Sequence, residues 1–359
     1  MSKILVANVK VPFTYGGQDA LVGTLVKELK NRLHEVDTVD LPFSPEPKEC
    51  LLTQAALWRS LELEKVGGSN VDLLIATKFP SYYAKHPRKS LWLVHQYRAA
   101  YDLYGGRYSD LSDDPRDEQL RELIVRGDNE ILSEFAYRAA ISRNVADRLK
   151  RFNNLSAEVL YPPLPQGSAY QKGVYKDYIL SVARICSIKR IDLAIKAMPI
   201  VHQHIKLKIV GAPDEPNIMD YLKNEIAKHH LQNRVEFLGR VGNKELIDLY
   251  ANALAVYYAP FDEDYGYATL EAMASAKPLV TALDSGGVLE FVKNQENGLV
   301  AQPTTDSIGR AINRLVEDRD LAKRLGESGF NFIQTSQILE KGWDHIIERL
   351  LSPLGNYAN

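Results

Sequence analysis

Cysteine is nearly absent from this chain of 359 residues: only Cys50 and Cys186 occur, far apart and outside any metal-ligand spacing. They read as small core or surface residues, and a reducing cytoplasm fits best. Long apolar runs are missing too, and no stretch approaches the roughly 18 residues that span a bilayer. Met1-Ser-Lys3 leads straight into Ile4-Leu-Val-Ala7, which is too short for a signal peptide and better read as a first strand. Neither sign of charge prevails: 44 Lys and Arg stand against 46 Asp and Glu, a formal net charge of −2. That balance argues against a general nucleic-acid binder, which carries a clear basic excess. The Gly-x-Gly-x-x-Gly fingerprint is lacking, which argues against a dinucleotide dehydrogenase. No Ser-His-Asp or Cys-His arrangement with a recognisable elbow appears. His202, His204, His229 and His230 have no partners at useful ligand spacing and read as surface residues. What is present is an ordinary soluble composition, 45% hydrophobic and 25% charged, with length for two domains.

Short β-branched or apolar runs alternate with helical patterns, so the chain reads as two successive α/β units with parallel sheets. Strands of the first are expected at Lys3–Ala7, Glu35–Asp40, Leu73–Thr77, Ser90–His95, Ala139–Ser142 and Glu158–Leu160. Tyr161-Pro-Pro-Leu-Pro165, with Gly167-Ser168 after it, reads as a linker. The second unit opens at Tyr178–Ala183 and has further strands at Lys206–Val210, Val235–Leu238, Ala255–Ala259, Pro278–Ala282 and Gly298–Ala301. Helices are expected at Arg190–Val201, Asp220–His229, Lys244–Ala251 and Ala268–Ala274, with a helical tail from Thr305 onward. The last segment, Ile338–Leu351, is long enough to pack back across the first domain. The expected division is therefore 1–165, 166–337 and a terminal helix in 338–359. Leu21–Leu33 is amphipathic and holds Lys27, Lys30 and Arg32. A core-facing helix with a solvated basic face is favoured there over peripheral membrane contact through the first domain. Tyr104–Arg121 reads as an acidic loop between strand and helix, a kind of segment that often carries specificity.

The most informative run is Pro260-Phe-Asp-Glu-Asp-Tyr-Gly-Tyr-Ala-Thr-Leu-Glu271. An apolar strand precedes it and a good helix former follows, so Glu263 and Glu271 bracket a strand-to-helix turn, the latter in the first helical turn. Gly266 lets the backbone approach a ligand. The N–H groups of Tyr267, Ala268 and Thr269 open the helix and, with its dipole, make an anion site suited to phosphate. Acids on either side of a phosphate can bind hydroxyls, and a nucleotide-sugar offers ribose, pyrophosphate and sugar in that order. The plainer alternative is a glutamate that serves only the dipole, for less than about 1 kcal/mol.

Ligands of open parallel sheets bind beyond the carboxyl ends of strands, and the other informative residues lie there. Arg184 and Lys189 follow the strand that ends near Ala183. Two cations on one connection can clamp a pyrophosphate, Arg as a fork and Lys as a point charge, and stabilise charge on a departing phosphate. Gly16-Gly17 follows the first strand and allows a tight turn before a helix that begins near Ala20. His95 ends a strand and is placed to meet a hydroxyl or handle a proton. Ser285-Gly286-Gly287 with Glu290 offers glycine turns to wrap a sugar. Asp262 and Asp264 form Asp-x-Asp, a metal motif elsewhere, but no metal is read here. Two such sheets facing each other across the linker make a cleft that closes on a substrate.

Taken in order, the Gly-Gly loop, His95, Val182-Ala-Arg184 with Lys189, and Glu263-x7-Glu271 resemble the retaining GT-B glycosyltransferases of family 4. The likeness spans nearly the whole chain and is most specific in the second unit, where Gly286-Gly287, Glu290 and Glu296-Asn-Gly-Leu-Val300 also fall in family order. The tail with Trp343 looks like the family's crossover helix. The resemblance implies two Rossmann-like domains, a C-terminal helix returning to the first, and a metal-independent hexosyltransferase without cofactor. Its donor would be a nucleotide-diphospho-sugar, with UDP and GDP both open. The acceptor would be a saccharide, a lipid-linked or a small-molecule hydroxyl. By carry-over, Glu271 holds ribose hydroxyls, Glu263 the donor sugar, and Arg184 and Lys189 the pyrophosphate. Gly17 approaches the phosphate, His95 touches the sugar, and the base lies near Gly239-Arg240-Val241. Two departures stand out. Arg184-Ile-Cys-Ser-Ile-Lys189 lacks the proline usual before the motif lysine. Asp264 replaces a glycine beside the donor sugar, which leaves the sugar open. A nucleotide-sugar epimerase, a phosphorylase and a non-catalytic nucleotide-sugar binder are the competing readings. No segment for a phosphorylase's lysine-bound cofactor is obvious, and the intact charged quartet argues against the binder.

Overall fold

The computed structural model describes residues 1–336 and 342–355. These form two compact units, residues 1–165 with 342–355 and residues 166–336. In the first, β1 Lys3–Lys10, β2 Glu35–Pro42, β3 Leu73–Lys78, β4 Lys89–His95, β5 Tyr137–Ala140 and β6 Glu158–Val159 make one sheet. Its order is β2-β1-β3-β4-β5-β6, and every pair is parallel. Parallel strands are covered on both faces, so they read as continuous apolar runs. Leu73-Leu-Ile-Ala76 and Leu91-Trp-Leu93 are accordingly without solvent contact.

Four helices flank this sheet: α1 Gly17–Asn31, α2 Cys50–Ser60, α3 Pro115–Ser133 and α4 Arg143–Asn153. The helix α1 buries Leu21, Val22, Leu25 and Leu29, so its apolar stripe is occupied by the core and its lysines face water. It starts at Gly17, three residues before the expected Ala20. Asp19 turns back to accept the Gly16 N–H at 2.8 Å, which lets the helix begin early. The expected acidic loop is shorter than Tyr104–Arg121, because α3 takes Pro115 onward. Asp114 accepts the Arg116 N–H at 2.9 Å and Pro115 fills the first helical position, where no N–H is needed. A C-terminal helix, Trp343–Leu350, belongs to this domain. Trp343 packs edge-on against Trp92 at 5.8 Å, Ser90 Oγ donates to the Leu350 carbonyl at 2.6 Å, and Arg349 pairs with Glu158. Residues 338–341, expected as its start, lie outside the described residues.

Beneath the loops that follow β3 and β4, Asp128 of α3 is fully buried and accepts hydroxyls from Tyr82, Tyr83 and Tyr101 at 2.7–2.8 Å. Burial, working against those three hydrogen bonds, pushes its carboxyl up to about 6. An acid whose folded pKa exceeds its unfolded value binds more protons when folded. Its contribution to stability is therefore lost as pH rises between the unfolded and folded values. Between pH 7 and pH 5 the wild type is expected to gain about 1 kcal/mol over Asp128→Asn in urea unfolding. A difference between the two proteins that stays constant over this range would count against the assignment.

In the second domain β7 Tyr178–Val182, β8 Lys206–Val210, β9 Val235–Gly239, β10 Ala255–Tyr257, β11 Leu279–Ala282 and β12 Gly298–Ala301 form a parallel sheet. The order is β9-β8-β7-β10-β11-β12. It reverses between β7 and β10, the point where doubly wound folds hold their ligands. The helices are α5 Ile191–Ala197, α6 Ile218–Lys228, α7 Asn243–Asn252, α8 Tyr267–Ala274, α9 Thr305–Glu317 and α10 Arg319–Thr335. The helix α5 stops short of the expected Val201 because Pro199 has no N–H to give and its ring crowds the preceding turn. Ile179, Leu207, Ile209 and Val280 of the sheet meet Ile195, Ile308, Ile312 and Leu315 of the helices. Burying each such side chain stabilises by roughly 1.5–3 kcal/mol. Among the described residues no helix is long and apolar enough to cross a membrane.

Candidate active site

Beyond β7 the chain makes a single 3-10 turn, Ser187–Lys189, and enters α5 through Arg190. Arg190 is buried and takes a left-handed backbone, φ 51°. Its Nε donates to the Ala259 carbonyl at 2.7 Å and Nη2 to the Pro260 carbonyl at 2.8 Å. Nη1 and Nη2 grip the Asp284 carboxylate at 2.8 and 2.7 Å. The Tyr257 hydroxyl donates to the Arg190 carbonyl at 2.9 Å. One side chain thus ties the loop after β7 to the ends of β10 and β11.

That tie presents Lys189 to Glu263. Lys189 Nζ is ion-paired with Glu263 Oε2 and lies 3.4 Å from the Tyr258 hydroxyl, which donates to the same carboxylate oxygen at 2.8 Å. The two charged side chains are only 13% and 15% exposed, so their attraction is screened far less than at an open surface. Burial opposes ionisation of Glu263. The Lys189 charge, with hydrogen bonds from Lys189 and Tyr258, outweighs it and holds the carboxyl below its usual range.

The loop that carries Glu263 is braced by the turn after β11. Glu263 N–H donates to the Ser285 carbonyl at 3.3 Å, and Gly287 N–H to the Glu263 carbonyl at 2.7 Å. A Cβ on Gly287 would stand 2.5 Å from the Asp264 carbonyl oxygen. Ser285-Gly286-Gly287 therefore supports the Glu263 backbone. Gly266 has φ 86°, and a Cβ there would meet the Tyr258 ring at 2.8 Å. Only glycine satisfies both demands at this helix start.

Two expectations about α8 need correction. The Thr269 N–H donates to the Gly266 carbonyl at 3.0 Å, so the N–H groups open at this terminus are those of Tyr267 and Ala268. The helix begins at Tyr267, which puts Glu271 in the second turn, where it adds little to the dipole. Glu271 instead accepts the Tyr250 hydroxyl at 2.5 Å and a hydrogen bond from Tyr170. Burial raises its carboxyl above the usual range in spite of those two bonds.

Arg184 is half exposed and paired with Asp214, and it also feels the Glu263 charge. Arg240 is exposed and follows β9, two strands away from β7, with Val241 beside it. In the first domain, Gly16 and Gly17 follow β1 and His95 ends β4. Gly16 is extended at φ −147° and Gly17 is the first helical residue, so the pair makes no left-handed turn. His95 Nδ1 lies 2.7 Å from the Gln96 carbonyl. A carbonyl only accepts, so in the neutral ring Nδ1 carries the proton. Among the described residues no group of three His, Cys, Asp or Glu is placed to hold a metal ion.

Sequence reasoning brought out Lys189, Glu263, Gly266 and Glu271 but missed Arg190, Asp284, Tyr258, Tyr250 and Tyr170. Arg190 stands next to a noted cation, and Tyr258 two residues before Pro260, yet nothing local distinguishes either. The partners of Arg190, and the Lys189 that reaches Tyr258, come from distant segments.

Two parallel-sheet domains, the second with a charged cradle at its switch point, make a fold shared with solved glycosyltransferase structures. The solved structure of sucrose-phosphate synthase from Thermosynechococcus elongatus superposes with a TM-score of 0.81 at 16% identity, covering 98% of this chain and 99% of that one. Anabaena HepE in complex with UDP and glucose superposes with a TM-score of 0.72 at 17% identity, covering 98% and 100%. Likeness at such identities establishes the fold. In sequence, residues 169–332 match the family described as glycosyl transferases group 1. The uncharacterized glycosyltransferase MJ1607 of Methanocaldococcus jannaschii is 36% identical over 143 residues, 39% of this chain and 36% of that protein. The alpha-1,3/1,6-mannosyltransferase ALG2 of Dictyostelium discoideum is 26% identical over 206 residues, 53% and 48% of the two. The chain thus spans half or less of the length of these relatives.

Proposed function

We propose that the protein is a retaining glycosyltransferase. It moves a hexose-type sugar from a UDP- or GDP-sugar to a hydroxyl of a saccharide, glycolipid or small molecule, without a metal. The observation that carries this reading is the Lys189–Glu263–Tyr258 cluster beside the open N–H groups of α8, at the switch point of the second sheet. Fixed positive charge there suits a pyrophosphate, and a carboxylate beside it suits a sugar hydroxyl. The mannosyltransferase name of one relative and the UDP and glucose bound to HepE support the same class of ligand.

In this reading Glu271 holds the ribose hydroxyls and Glu263 those of the donor sugar. Lys189, Arg184 and the N–H groups of Tyr267 and Ala268 take the pyrophosphate. The bond between the anomeric carbon and the phosphate oxygen breaks, and charge gathers on that oxygen. Lys189 and Arg184 stabilise the charge, which lowers the barrier. The acceptor oxygen bonds to the same face of the carbon and gives its proton to the departing phosphate oxygen, so no protein base is required. Gly17 and His95 are assigned to phosphate and sugar, and the loops after β3 and β4 to the acceptor.

A calorimetric screen of UDP, GDP, ADP and their sugar conjugates, with and without EDTA, tests this. One nucleotide is expected to bind tightly, unaffected by EDTA, and Glu271→Gln to weaken it about tenfold or more, as loss of a charged hydrogen-bond acceptor does. Binding that vanishes with EDTA would overturn the metal-independent mechanism. No binding of any nucleotide would overturn the reading itself.

A further inference from the structure

Glu271 is approached by groups that the proposed reaction leaves unused. Tyr250, at the end of α7, is fully buried, and its hydroxyl donates to Glu271 Oε2 at 2.5 Å. Tyr170, in the segment that follows the proline linker, sets its ring edge-on to Tyr250 at 5.8 Å and bonds the same carboxylate. Two hydrogen bonds from tyrosines whose rings pack on each other leave the carboxylate few orientations. An ionised carboxylate accepts about four hydrogen bonds. The two tyrosines supply two, and a ribose diol supplies two more.

We propose that Tyr250 and Tyr170 are positioning residues that hold the Glu271 carboxylate in the orientation that receives the two ribose hydroxyls of the donor. This rests on the assignment of Glu271 to ribose. Among the described residues four tyrosines face this carboxylate: Tyr250 of α7, Tyr170 of the post-linker segment, Tyr258 beyond β10 and Tyr267 of α8 itself. Among the described residues no cation bonds to it. Burial disfavours its ionised form, and the Tyr250 and Tyr170 hydroxyls work against that tendency. Without them the carboxyl holds a proton at higher pH and then offers a donor where the diol needs an acceptor. Because Tyr170 lies just past the linker, ribose recognition is tied to the course of the chain as it enters the second domain.

The test uses Tyr250→Phe and Tyr170→Phe in the full chain, titrated by calorimetry with UDP, GDP and their 2′,3′-dideoxy analogues. Each variant keeps its ring packing and loses one hydroxyl. Each is expected to bind the ribonucleotide about tenfold more weakly, the scale of one hydrogen bond to a charged group. Each should bind the dideoxy analogue as the wild type does. For both variants the affinity should begin to fall at a higher pH as the solution is acidified. A role confined to packing would weaken both ligands alike, and that result overturns the proposal, as does unchanged ribonucleotide affinity. Glu271→Gln separates the layers. If it binds ribonucleotide like the wild type, the assignment of Glu271 to ribose has failed. If it weakens binding while both tyrosine variants bind normally, only the positioning role has failed.

Discussion

Replacing Lys189 with methionine is expected to lower turnover by about two to three orders of magnitude, the scale seen when one preorganised donor to a developing oxyanion is removed. Methionine keeps the length of the side chain and removes its charge. In the structure that charge is balanced by Glu263, with the Tyr258 hydroxyl beside them, in a poorly solvated place. When phosphate departs, the charge has a better partner, because the leaving oxygen gains negative charge as the reaction proceeds. The interaction is therefore stronger in the transition state than in the ground state, so its loss appears mainly in kcat. Glu263→Ala separates the two ends of the pair. It leaves Lys189 available to pyrophosphate, so nucleotide affinity should hold while turnover falls. Nucleotide release from the donor identified by the binding screen measures both. Wild-type turnover in both variants would remove the charged cradle from the mechanism.

Arg190→Met should produce the largest loss of stability in the second domain, about 3–5 kcal/mol, because it breaks a buried charged network at one end. The Asp284 carboxylate loses two donors, and the carbonyls of Ala259 and Pro260 lose one each. Asp284 is 35% exposed, so water recovers part of its loss and the lower figure is favoured. For a domain of this size that amounts to a fall in melting temperature of about 10 °C. Arg190→Lys should recover little, since an ammonium cannot reach a carboxylate in fork geometry and two carbonyls together. Thermal unfolding followed by circular dichroism would decide it. A shift of a degree or two would mean that Lys189 and Glu263 are held in register by something other than Arg190.

Much of the charged cradle is legible in the sequence. Glu263, Gly266 and Glu271 lie in one run of sequence, where an apolar strand gives way to a helix across a glycine. Lys189 stands at the matching place after another strand. Less legible was the use to which each residue is put. The expected Thr269 donor bonds to Gly266 within its own helix, a matter of one residue in where the helix begins. Gly16 and Gly17 looked like a turn, yet the Asp19 side chain caps the helix directly. Ser285-Gly286-Gly287, expected to wrap a sugar, also supports the Glu263 backbone. In each case the contact was settled by backbone direction, which composition does not encode.

The sequence by itself determined the α/β class, the two successive parallel units and the strand ends where charged residues collect. Runs such as Leu73-Leu-Ile-Ala76 and Ile179-Leu180 carry that information locally, through period and burial. Only the tertiary structure decided that Arg190 grips Asp284 across 94 positions of chain and that Lys189 pairs with Glu263 across 74. Likewise only the fold brings Tyr170 and Tyr250 to Glu271. These contacts depend on the order in which parallel strands are laid side by side. That order comes from how all the helices pack at once, and no short window of sequence contains it.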